Sequence, residues 1–194
     1  MHTDKTLILA SSSPRRKELL QTLGLTFTIQ TSDVAETTSP GLSPQEVVEE
    51  LALRKAKEVA SRLNEGIVLG SDTIVVLNED ILGKPVDETD AYRMLYALQG
   101  CEHTVYSGVA LIDAATGMSE VSYSRTQVRI RPLTSEEIHA YIATREPMDK
   151  AGSYAIQGIG STLVEGIDGD YFTVVGLPLC LTAAMLARFG IKVL

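Results

Sequence analysis

"GIVLGSDTIVVL", residues Gly66–Leu77, decides the fold. Two runs rich in β-branched residues flank Gly70-Ser71-Asp72-Thr73. Strand character is strong on both sides, and the glycine and polar residues between them predict a break or bulge. An aspartate between two apolar runs is awkward for a sheet interior. Asp72 therefore has two readings. It caps a bulge by accepting backbone hydrogen bonds, because a buried carboxylate needs partners. Alternatively it is held rigidly at a strand break facing a cleft, where a general base or a metal ligand belongs.

Upstream, Thr6–Ala10 is a short apolar run that reads as a buried strand. Ser13-Pro14 offers a hydroxyl N-cap with proline at the first helical position, which predicts a helix from Pro14 to Leu23, ended by Gly24. Phe27–Gln30 reads as a second strand, so the chain opens β–α–β. "TTSPGL", residues 37–42, is a turn-rich loop. Ser43-Pro44-Gln45-Glu46 is a capping box opening a helix to about Leu63, with Val47, Leu51, Ala52, Ala56 and Val59 as its apolar stripe.

Downstream, Asn78-Glu79-Asp80 makes a tight connection to "ILGKP", and a helix follows from 87–90 to Leu98, ended by Gly100. Thr104–Ile112 and Ser119–Ile130 predict a strand hairpin around "DAATG". Thr134-Ser135-Glu136-Glu137 is a second capping box, with its helix running to about Thr144. "EPMDKAGSYAIQGIG" is irregular. Thr162–Val164 and Tyr171–Val175 are read as strands joined through "DGD", and Pro178–Phe189 as a closing helix. Interleaved helices and strands with hairpins in the middle indicate an α/β domain with a mixed sheet rather than a purely parallel one. Residues 1–194 read as one domain, without repeats or a long linker.

Net charge is −8, which argues against a non-specific nucleic-acid binder but leaves room for a local cationic pocket. Cys101 and Cys180 stand alone, without CxxC spacing; free buried thiols are expected rather than a zinc site. The N-terminus lacks a signal-peptide apolar stretch, and no segment approaches the ~20 apolar residues of a membrane span. A soluble cytoplasmic protein is expected.

Chemistry concentrates in polar interruptions of this framework. In "SSSPRRK", Arg15, Arg16 and Lys17 crowd the positive end of a helix, where cations are disfavoured by ~0.3–1 kcal/mol each. They are either ordinary surface cations or one side of an anion site built from free N–H groups and guanidinium groups. No GxxxxGK[ST] loop is present. Lys84, between glycine and proline in "LGKP", is either solvent-facing or placed to neutralise phosphate charge. In "DKAGSYAIQG", Asp149-Lys150 reads as a surface pair, Gly152 and Gly158 permit close backbone approach, and Gln157 carries a donor and an acceptor suited to a base edge. Glu36 is a second acid, with Asp33 close by in "SDVAETT". His2 is terminal, His139 is helical, His103 reads as a structural histidine, and none suggests a triad.

"LASSSPRRKELL", "GSDTIVV", "LGKP", "EPMDKAGSYAIQG" and the closing "DGDYFTVVGLPL" together resemble the Maf family of nucleotide pyrophosphatases over nearly the whole chain. The resemblance implies a Maf/inosine-triphosphate-pyrophosphatase-like fold: an elongated mixed sheet, flanking helices and two lobes around a cleft. The implied reaction is hydrolysis of a nucleoside triphosphate to the monophosphate and pyrophosphate, with Mg²⁺ or Mn²⁺. Arg15, Thr73 and Gln157 resemble the branch acting on dTTP and UTP, with modified pyrimidine nucleotides as further candidates. By motif, Asp72 is the proton acceptor or a metal ligand, and Ser13, Arg15 and Arg16 form the phosphate-binding turn. Glu36, Lys55 and Lys84 match polar cleft positions, Glu36 and Asp72 being the metal candidates. A homodimer is also implied. Two other classes fit the same parts: a nucleotide-binding regulator of septum formation with little turnover, and a phosphatase or nucleotidyl transferase.

Overall fold

The computed structural model describes residues 5–194, so His2 lies outside the described residues. Strand β1 (Leu7–Leu9), helix α1 (Pro14–Thr22) and strand β2 (Phe27–Ile29) form the β–α–β start that the sequence predicts. Then come α2 (Pro44–Ala60), β3 (Ile67–Leu77), β4 (Asp80–Leu82), α3 (Glu88–Leu98), β5 (Glu102–Asp113), β6 (Ser119–Ile130), α4 (Ser135–Ala143), β7 (Val164–Asp168), α5 (Tyr171–Val175) and α6 (Leu179–Arg188). The strands form a seven-stranded mixed sheet in the order β2-β1-β3-β5-β6-β7, with β4 paired to β3. β1 is parallel to β2 and β3, while β3–β4 and β6–β7 are antiparallel.

The chain divides into two compact units. One holds the residues up to Asp72, Ser107–Ser124 and Gly176–Leu194; the other holds Thr73–Tyr106 and Arg125–Val175. The boundary in β3 falls immediately after Asp72.

In the first unit, Ile8, Val68, Ala110 and Ile112 of the sheet pack against Ala52, Ala56 and Val59 of α2. The helix comes very close to the strands. A Cβ on Gly70 would lie 2.3 Å from the Ala52 carbonyl oxygen, and one on Gly108 would lie 2.2 Å from that of Val48. This corrects the expected break at Gly70: β3 runs unbroken, and the glycine is there so that helix backbone can approach the strand. α2 starts as expected, with the Glu46 carboxylate accepting from the Ser43 N–H at 2.8 Å. The hydroxyl cap expected at Ser13 does not form. Its backbone is extended, and its N–H donates instead to the Ser11 hydroxyl at 3.2 Å.

In the second unit, Leu95 and Leu98 of α3 and Ile138 and Ile142 of α4 pack with Val105, Val128 and Ile130 of the sheet. Asn78 and Glu79 both have positive φ, the two-residue turn that suits the twist of a hairpin. At the start of α4, the Thr134 hydroxyl accepts from the Glu137 N–H, and the Glu137 carboxylate accepts from the Thr134 N–H. The reading of Tyr171–Val175 as a strand is corrected to helix α5. The Asp170 carboxylate accepts from the Thr173 N–H at 2.7 Å and from its hydroxyl at 2.8 Å, and this N-cap overrides the β-branched composition. His103 is buried with Nε2 2.7 Å from the Tyr154 hydroxyl, and burial pushes its pKa down to about 4, so it sits in the core as neutral imidazole.

Both cysteines are free and exposed, against the expectation of buried thiols. Cys180 lies off the buried face of α6, which is made by Leu179, Thr182, Met185 and Leu186. Among the described residues, no helix is long and apolar enough to cross a membrane.

Candidate active site

Lys55 joins two acidic residues of the first unit, Glu36 and Asp72. It lies within the apolar stripe of α2, one turn after Leu51, so the helix carries its stem into the core. Its Nζ donates to Asp72 Oδ1 at 2.6 Å and to Glu36 Oε1 at 2.7 Å. The side chains of Lys55 and Asp72 are only 11% and 10% exposed, whereas Glu36 is 53% exposed. The result is a buried ion pair with a third leg in solvent. Glu36 makes this contact; its neighbour Asp33 is exposed and does not.

Glu36 lies in an irregular loop that Arg54 holds in place. Arg54 Nη1 donates to the carbonyls of Ala35 at 2.7 Å and Thr37 at 2.8 Å, one on each side of Glu36. Arg54 also pairs with Glu50 one helical turn earlier. Consecutive residues of α2 thus fix the loop backbone and bind its carboxylate. Arg54 gives no signal in the sequence, because its partners are backbone carbonyls that any residue presents.

The start of α1 joins the same unit through Arg16. Its Nε donates to the Gly176 carbonyl at 2.8 Å and its Nη1 to the Ser11 hydroxyl at 3.3 Å. The Ser71 hydroxyl donates to the same Gly176 carbonyl at 3.1 Å. One carbonyl from the closing "VVGLPL" segment therefore ties the helix start to the residue beside Asp72. Burial lowers the Arg16 pKa; Asp72 and Glu36 oppose that shift, and Arg15 adds to it. Ser13 and Arg15 are half-buried and Lys17 is exposed. No acidic residue stands in the first turn of α1, and the Ser13 hydroxyl leaves the helix end uncapped. Lys55 pairs with the two carboxylates and Arg16 interacts with both, with Arg15 close enough to Arg16 to repel it, in a chain of net −8. The arrangement suits a polyanion.

Glu36 and Asp72 bring hard carboxylate oxygens to one ammonium. Among the described residues, no three His, Cys, Asp or Glu side chains gather as a metal-holding group. This donor set still fits Mg²⁺ or Mn²⁺, since an ion such as Mg²⁺ typically takes one or two carboxylates and completes its shell with water and phosphate.

The other candidates belong to the second unit. Thr73 follows Asp72 on β3 and is half-buried. Lys84 is exposed between Gly83 and the buried Pro85. The Gly83 carbonyl accepts from the Gly152 N–H at 3.0 Å, joining "LGKP" to "DKAGSY". Gly152 has φ 69°, and a Cβ there would meet the Val75 side chain at 2.9 Å, so this junction requires glycine. Gln157 is half-buried at the start of a short 3₁₀ turn, Gly158–Thr162. Asp149 and Lys150 form the expected ion pair.

The sequence pattern of the Maf-like protein family matches residues 6–189. Several relatives carry the name dTTP/UTP pyrophosphatase. The chain is 52% identical to one from Pelotomaculum thermopropionicum over 98% of this chain and 100% of the relative. It is 54% identical to one from Moorella thermoacetica over 96% of each chain. It is 51% identical to one from Bacillus cereus over 97% of this chain and 92% of that protein.

Proposed function

The chain belongs to the Maf family, and on that premise we propose that it hydrolyses dTTP and UTP to the nucleoside monophosphate and pyrophosphate. The observation that carries this reading is Lys55 bridging Asp72 and Glu36, in the unit where the start of α1 presents Arg15 and Arg16. The names of full-length relatives at about half identity support the substrate.

Arg15, Arg16 and the N–H groups opening α1 bind the phosphates, with Ser13 in the same turn. The substrate supplies the negative charge that this helix end lacks. Lys55 fixes Asp72 through Oδ1, and the second carboxylate oxygen orients water and takes its proton as the water attacks the α-phosphorus. Glu36 and Asp72 would hold a divalent cation, which would supply Lewis-acid polarisation of phosphate oxygens; Asp72 would then serve as metal ligand in place of proton acceptor. Lys84 neutralises charge on the leaving pyrophosphate, while Thr73 and Gln157 hydrogen-bond the pyrimidine edge; these roles rest on the motifs that hold them. Uracil and thymine present the same edge and differ by a methyl group, worth only ~1–3 kcal/mol. Modified pyrimidines with that edge belong to the same substrate class. A cytoplasmic location, where nucleotide pools lie, and a homodimer complete the proposal.

The test is a panel of nucleoside triphosphates assayed for both pyrophosphate and orthophosphate. UTP and dTTP should lie within about 200-fold of each other in kcat/KM, with CTP and the purine nucleotides about 10⁴-fold below the better of the two, and all product should be pyrophosphate. Orthophosphate as product would mean a phosphatase. Binding without turnover would mean a nucleotide-binding regulator of septum formation.

A further inference from the structure

We propose that Tyr141 and Glu146 are positioning residues for pyrimidine selection, locking the loop that carries Gln157 at both ends. The proposal rests on the reading of Gln157 as the residue that recognises the base.

Ala155–Gly160 has neither strand nor α-helix to stiffen it, and glycines at 158 and 160 lower its intrinsic rigidity. One phenol–carboxylate pair supplies the stiffness. Tyr141 is buried on the inner face of α4 beside Ile138 and Ile142, so its hydroxyl is anchored in the core. That hydroxyl accepts from the Ala155 N–H at 3.1 Å and donates to Glu146 Oε1 at 2.9 Å. Glu146 Oε1 also accepts from the Gly160 N–H at 2.8 Å, and Oε2 accepts from the Ile159 N–H at 3.1 Å. The chain is thus held just before and just after Gln157.

The fit is close on the glycine side. Gly158 has φ 65°, and a Cβ there would lie 2.4 Å from Glu146 Oε2; a Cβ on Gly160 would lie 2.5 Å from the Tyr141 hydroxyl. Burial works against ionisation of Glu146, but the Gly160 N–H, the Tyr141 hydroxyl, the Ile159 N–H and Lys150 hold its pKa below the ordinary value. The carboxylate therefore stays an acceptor for all three donors. A side-chain amide can discriminate one base edge from another only if its backbone is fixed to within a fraction of an ångström, and this pair provides that constraint.

The experiment compares kcat/KM for UTP and CTP in the full chain for Tyr141→Phe, Glu146→Gln, Gln157→Ala and the Glu146→Gln/Gln157→Ala double variant. Gln157→Ala should lower the UTP:CTP ratio about tenfold or more. Tyr141→Phe and Glu146→Gln should lower the same ratio about three- to tenfold, through a higher KM for UTP, with CTP turnover nearly unchanged. The double variant should match Gln157→Ala in this ratio, because the clamp acts only through Gln157. Tyr141→Phe removes a single oxygen and decides the matter if Glu146→Gln folds poorly. A ratio that moves in Gln157→Ala but stays at the parent value in both clamp variants overturns the proposal and leaves the reading of Gln157 intact. A ratio unmoved in Gln157→Ala overturns that reading and the proposal with it.

Discussion

Asp72→Asn lowers UTP turnover about 10³-fold and leaves nucleotide affinity within about threefold. The substitution preserves shape, and an amide oxygen can still accept from Lys55 Nζ, now 2.6 Å from Oδ1. The amide cannot take a proton from water, and it is a poorer ligand for a divalent cation. In the proposed site the phosphates are held by Arg15, Arg16 and the end of α1, and the base by Thr73 and Gln157, all of which the substitution leaves alone. Single-turnover hydrolysis and calorimetric binding of UTP separate the two effects. Turnover at the parent rate would remove Asp72 from the chemistry.

Lys55→Met acts on stability and activity together. It leaves Asp72, only 10% exposed in its side chain, without its cation. Removing one partner of a buried ion pair costs about 3–5 kcal/mol, because the remaining charge stays desolvated. Glu36 loses the same partner, while Arg54 still grips the backbone of its loop at Ala35 and Thr37. Turnover should fall about 100-fold or more, since the base is no longer fixed and a cation is gone from the site. Urea unfolding and UTP hydrolysis measure the two consequences. Adding Asp72→Asn to Lys55→Met should restore much of the stability, because the uncompensated charge disappears, while activity stays lost. A Lys55→Met protein as stable as the parent would show that the pair does not hold the site together.

The parts of the fold written in local chemistry were legible in the sequence. The capping boxes at Ser43–Glu46 and Thr134–Glu137 mark their helices, and Asn78-Glu79-Asp80 marks a tight connection, though not the strand β4 that follows it, since each works through residues a few positions apart. Gly70 was misread because its reason for being glycine is the Ala52 carbonyl on another element. Tyr171–Val175 carried both signals, a β-branched run and the Asp170–Thr173 cap, and the cap decided the outcome.

The site divides in the same way. Asp72 stood out as an acid between apolar runs, and the arginines as cations on the wrong end of a helix. Lys55 and Glu36 were reached through the family motifs, and their junction with Asp72 is a tertiary fact. Ser11, Ser71 and Gly176 lie within the motifs, but their contacts left no trace there, and Arg54 left none at all, because these residues act through backbone groups or hydroxyls common to most sequences. Tyr141 and Glu146 were hidden for a related reason: Tyr141 reads as a core residue of α4 and Glu146 as part of an irregular loop.

The central claim is that water attacks the α-phosphorus and not the β-phosphorus. Hydrolysis of UTP in water labelled with heavy oxygen, followed by mass spectrometry of both products, tests it most directly. The account predicts the label in the nucleoside monophosphate and none in pyrophosphate. Label in the pyrophosphate would place the attack on the β-phosphorus and contradict it.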